Sequence, residues 1–128
     1  MNATKIYLVI SVLIWFPYGL YCLFAPEYLD GAAGVVGATP TGTTEIRAMY
    51  GGLQASIGVM CAAGLARAAM VRPAMLAIAF LVSGLFVARV VGFAIDGSAS
   101  DYTHGVLVFE GSYAAGTIYL LRRSANAG

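Results

Sequence analysis

Charge is what this chain has least of. Only 10% of its 128 residues are charged and 60% are hydrophobic, against roughly 25% charge in a soluble domain. So few charges cannot cover a globule with a solvated surface, and the composition belongs in a bilayer. No run of Lys or Arg is present that could track phosphates, and the net charge is +1, which together exclude a nucleic-acid partner. Metal and redox chemistry are equally short of residues. Cys22 and Cys61 are expected at depths that differ by on the order of 15–20 Å by helix rise, beyond the reach of a disulfide. Both read as inert thiols. His104 has Asp101 and Glu110 nearby in sequence, yet a lone histidine in a loop reads as solvated rather than as a metal ligand. The chain has no phosphate loop, nucleophile elbow or haem motif, and Gly51-Gly52 reads as packing. No metal, cofactor or catalytic residue is therefore expected.

What the chain does have is apolar length. Four runs, 6–24, 46–66, 74–95 and 105–121, each approach the roughly 20 residues that cross hydrocarbon as a helix, the last being on the short side. Barrel strands are excluded, because the runs lack polar alternation and exceed the roughly 9–11 residues of such a strand. The expected fold is all-α: one integral-membrane four-helix bundle over 1–128, with helices at about 5–25, 45–66, 73–95 and 104–122. Lys5, Arg67, Arg72, Arg122 and Arg123 lie at the N-terminus, the second turn and the C-terminus. Glu27, Asp30, Asp96 and Asp101 occupy the other two loops, which contain no Lys or Arg. The positive-inside rule then puts both termini in the cytoplasm. The first run is longer than a signal-peptide core, and no small-x-small site follows Phe24, so it reads as a mature helix.

Within the first helix, Pro17 removes a backbone bond and predicts a kink, read as a packing bend rather than a hinge. Tyr18, Tyr21 and Tyr28 approach the outer interface, where aromatic rings prefer to sit. The outer loop 25–44 is rich in Gly, Ala and Thr. It reads either as a short lid on the membrane surface or as a flexible connector.

The second helix opens at Thr43-Thr44-Glu45, with hydroxyl caps followed by an acid that suits the positive helix end. Arg47, Tyr50, Gln54 and Gly58 share one face at helical steps. Ala48, Gly52 and Ser56 form a small-residue ridge, which predicts close approach of a neighbouring helix on that side. In the third helix Arg89, Gly92 and Asp96 share a face, and in the fourth Glu110, Tyr113 and Thr117 do. The third helix runs outward and the fourth inward, so Arg89 and Glu110 fall at similar depth and are the natural ion pair. An ionised side chain in hydrocarbon costs at least ~2.5 kcal/mol and is usually paired and functional. The candidate site is therefore a polar layer in the outer half of the bilayer, made of Glu45, Arg47, Tyr50, Gln54, Arg89, Asp96, Glu110 and Tyr113. It is either a salt-bridge network that fixes helix register or a site for a ligand or proton.

Pro26, the element Glu45-Ile-Arg47-Ala-Met-Tyr50-Gly51-Gly52-Leu, Arg89-Val-Val-Gly92 with Asp96-Gly97, and Glu110 resemble a bacterial membrane family. That family is the domain of unknown function 4345, broadly similar to the DoxX-like proteins. The resemblance covers nearly the whole chain. It implies a four-helix bundle in the bacterial inner membrane and brings no established activity. Three function classes stay open, in this order. The first is a non-catalytic accessory or small-ligand-binding bundle, with the lipid bilayer, a second copy, a membrane-protein partner or a small apolar or lipid-like ligand as its partners. The second is a proton- or ion-coupled carrier acting as an oligomer. The third is an intramembrane lipid-modifying enzyme with Glu110 as general acid/base, a role that burial would favour and pairing with Arg89 would oppose.

Overall fold

The computed structural model describes residues 2–125, and these are helical with no strand among them. The elements are α1 (Ala3–Phe24), α2 (Tyr28–Ala33), α3 (Pro40–Ile46), a π-helical turn (Arg47–Gly52), α4 (Leu53–Ala66), α5 (Ala68–Asp96) and α6 (Asp101–Ala125). Three stretches are long and apolar enough to cross a membrane: Ala3–Phe24, Pro40–Ala66 and Ala68–Asp96. The chain divides between Ala74 and Met75 into two compact units, taken here in turn.

In the first unit α1 begins under a side-chain cap, the Asn2 amide oxygen accepting from the Lys5 backbone N–H at 3.0 Å. It runs unbroken through Pro17. The segment expected as a loop contains α2, which ends at Gly34 in the left-handed conformation (φ 68°). The Val35 N–H reaches back to the Leu29 carbonyl at 3.1 Å, the bond that closes a glycine-terminated helix. Leu29 and Ile46 are buried with Cys22, and Tyr18, Val35 and Tyr50 pack around them. Residues 25–44 are thus pinned to α1 by a small core of their own.

The helix expected to open at Thr43–Glu45 opens earlier. Thr39 is the cap, its hydroxyl accepting from the Gly42 N–H at 3.1 Å, and Pro40 occupies the first turn. That position needs no N–H, so proline is favoured rather than excluded there. Thr43 and Thr44 instead bond backward to the Thr39 and Pro40 carbonyls.

The small-residue ridge also needs correction. The π turn and α4 meet antiparallel α1 through Gly51, Ala55 and Gly58, whereas Ala48 and Ser56 are exposed and Gly52 is only half-buried. A Cβ on Gly51 would lie 2.7 Å from the Leu23 Cα, and one on Gly58 2.5 Å from the Phe16 Cβ. One on Gly19 would collide with the Ala55 backbone. Gly64 continues the contact toward Leu8. The Ser56 hydroxyl is satisfied on its own helix, at the Gly52 carbonyl, 2.8 Å away. Both ridges have small residues at helical spacing, and the backbone approach to α1 selects one.

The π turn has a geometric consequence. Ile46 and Ala55 are nine residues apart, and at about 100° per residue an unbroken α-helix would put them on opposite sides. A π turn takes up one extra residue, which swings Ile46 back by about 100° toward Cys22 of α1.

In the second unit α5 ends at Asp96, followed by Gly97 (φ 64°). Ser100 caps α6, its hydroxyl accepting from the Thr103 N–H at 3.2 Å. α6 therefore starts at Asp101, one turn before the expected point. The two helices run antiparallel and meet through long side chains. From the loop inward these are Phe93 with His104 (ring centroids 5.7 Å apart), Arg89 with Glu110, and Phe86 lying over Gly111. Met75, Ile78 and Val82 on α5, and Tyr113, Ala114 and Thr117 on α6, are buried. The Thr117 hydroxyl donates to the Tyr113 carbonyl at 2.8 Å.

Candidate functional site

Arg89 lies about 10 Å before the end of α5 and Glu110 about 14 Å into α6, at 1.5 Å per residue. The antiparallel pairing sets them opposite each other. The Arg89 Nε donates to Glu110 Oε2 at 2.9 Å, and Nη2 donates to Oε1 at 2.9 Å. This fork-to-fork arrangement is the strong form of a charge-assisted contact. The Glu110 side chain is 4% exposed and that of Arg89 28%. Phe86 and Phe93 flank Arg89 along α5 at helical steps of three and four, and the Phe109 ring sits 5.3 Å from Tyr113. The Arg89–Glu110 pair thus bridges α5 and α6. Its net worth against a hydrophobic replacement is small, but a lone survivor in such a place is costly.

The other candidate residues divide between the units. Asp96 is exposed on α5 and Tyr113 is buried on α6. In the first unit Glu45 is exposed, Gln54 is half-buried, and Tyr50 packs on the Cys22–Leu29–Ile46 core. Arg47 is half-buried, and its Nη1 donates to the Leu23 carbonyl. That carbonyl belongs to the last turn of α1, where acceptors lack helical partners and a cation matches the helix dipole. Arg47 is therefore a side-chain cap on α1, joining the Glu-x-Arg element to the first helix. Among the described residues neither Arg47, Glu45 nor Asp96 makes an ion pair.

Sequence reasoning missed the π turn and the small core under α2. The adjacent glycines behind Arg47 were the available signal, since Gly51 is where the turn presses on Leu23. Cys22 and Cys61 are both buried free thiols, Cys22 beside the Tyr18 side chain and Cys61 beside Ser11. No group of three or more His, Cys, Asp or Glu able to hold a metal occurs among the described residues.

No curated protein and no solved structure matches the chain. The family model described as domain of unknown function (DUF4345) matches residues 3–121. That is nearly its full length, including the Glu-x-Arg element, Arg89 and Glu110. The chain belongs to the DUF4345 family.

Proposed function

We propose that this is a multi-pass protein of the bacterial inner membrane in which α6 is a fourth span and both termini are cytoplasmic. On this reading it is a non-catalytic bundle, an accessory subunit or small-ligand binder, and the Arg89–Glu110 pair is its internal brace. The observation that carries the reading is the two-point closure of Glu110 on Arg89, both bonds at 2.9 Å. α6 is less apolar than the other long helices because it carries Glu110, Ser112, Tyr113 and Thr117. Three of these four are buried within the protein rather than offered to lipid. Its 25 residues reach about 37 Å at 1.5 Å per residue, enough to cross ~30 Å of hydrocarbon. Placement of Lys5, Arg67, Arg72, Arg122 and Arg123 on one side supports the orientation.

A carboxylate with both oxygens on one guanidinium is poorly placed to trade protons, which ranks the carrier and the lipid-modifying enzyme below the brace. The test is a mutant cycle read by unfolding in mixed micelles. Arg89→Gln and Glu110→Gln each lower stability, and the reversed pair Arg89→Glu/Glu110→Arg recovers part of the loss. Single variants as stable as the parent would remove the brace and restore the other two readings.

A further inference from the structure

Arg47 is a half-buried cation at the membrane-surface end of the first unit, and its partner among the described residues is a backbone carbonyl. Nη1 is used on Leu23, and among the described residues no carboxylate answers the charge. It is the only Lys or Arg between Lys5 and Arg67. The level is fixed by what surrounds it. Leu23 is in the last turn of α1, Phe24 and Tyr21 are exposed, and the Tyr21 and Tyr28 rings meet edge-on at 5.1 Å. Exposed aromatic rings at the end of an apolar span mark the headgroup layer, where the anions on offer are lipid phosphates. A guanidinium held by one nitrogen keeps a planar edge for such an oxyanion. The same end also carries three exposed acids, Glu27, Asp30 and Glu45, none of them in an ion pair among the described residues. One cation among three unpaired acids repels a purely anionic headgroup. It suits a headgroup that carries a phosphate and an ammonium together.

We infer that Arg47 binds the phosphate of an aminophospholipid of the phosphatidylethanolamine class, with Glu27, Asp30 and Glu45 receiving its ammonium. This site deepens the ligand-binding reading above and rests on its placement of the Tyr21 end in the headgroup layer. The mutant cycle on Arg89 and Glu110 judges that reading separately.

The experiment is native mass spectrometry of the full chain released from nanodiscs. The nanodiscs contain equal phosphatidylethanolamine and phosphatidylglycerol with matched acyl chains. The wild-type protein retains phosphatidylethanolamine over phosphatidylglycerol by about tenfold, the worth of one good charge-assisted contact. Arg47→Gln lowers retention of both lipids, whose phosphate is shared, Arg47→Lys keeps part of that retention, and Arg67→Gln leaves it unchanged. Arg47 also caps α1, so Arg47→Gln is checked for intact helical content. Glu45→Gln, on an exposed side chain without an ion pair, keeps the fold and lowers the preference independently. Equal retention of the two lipids by the wild-type protein overturns the proposal, as does lipid retention untouched by Arg47→Gln or a preference untouched by Glu45→Gln. Displacement by soluble phosphoethanolamine at matched concentration overturns its lipid source.

Discussion

A carboxylate inside an apolar helix persists only with its counter-charge at hand, and Glu110 has both oxygens on Arg89. The two partners are not equally replaceable. Arg89→Gln strands a carboxylate that is 4% exposed, and a cost of about 3–5 kcal/mol is expected. Glu110→Gln strands a guanidinium that is 28% exposed, whose stem lets it reach toward water, so roughly half that cost is expected. Asp96→Asn and Glu45→Gln, on exposed side chains without an ion pair, leave unfolding in mixed micelles unchanged. The reverse order, with Glu110→Gln the worse variant, would mean that Arg89 has no path to water. The Arg89–Glu110 pair was legible in the sequence because charge is rare in apolar runs and helix rise fixes depth. Arg47 was legible as a member of the polar layer, but its partner was not. A backbone carbonyl has no letter in the sequence, and only the fold shows that Leu23 presents one.

At the scale of elements, α1 and α4 are held by backbone approach, and two adjacent glycines separate that effect from glycine content. A Cβ on Gly51 would meet the Leu23 Cα at 2.7 Å, whereas the nearest atom to one on Gly52 is the Arg47 carbonyl oxygen at 3.9 Å. Gly51→Ala is therefore expected to cost about 1–3 kcal/mol through overpacking. Gly52→Ala is neutral or stabilises by up to about 1 kcal/mol, since alanine loses less freedom in a helix. Thermal unfolding of the two variants in detergent measures the difference, and equal losses would contradict the close contact. The three long apolar stretches were readable because length and hydropathy survive any rotation of a helix. The face that α4 turns to α1 was not. Periodicity reads as Ala48–Gly52–Ser56 although Gly51–Ala55–Gly58 also has small residues at helical spacing, and the π turn shifts the phase of everything before it. The cap at Thr39 was hidden for a different reason: Pro-Thr-Gly reads as a turn until its proline is placed where no N–H is needed.

For the molecule as a whole, the sparse charges set the design. The basic residues Lys5, Arg67, Arg72, Arg122 and Arg123 stand near the chain ends, at the turn before α5 and in the opening turns of α5. The one pair inside the long helices of the second unit is closed on itself. On this account α6, the least apolar long helix, enters the bilayer because Arg89 accompanies its buried carboxylate. The central claim is therefore that α6 crosses, and topology reporters test it most directly. A reporter that functions only in the cytoplasm is placed at the N-terminus and, separately, at the C-terminus. One that functions only outside is inserted at Ser98, in the turn between α5 and α6. Activity of all three is the expected result. A C-terminal reporter silent where the N-terminal one works would put the two ends on opposite sides, leaving α6 outside the bilayer and Glu110 without the role assigned to it.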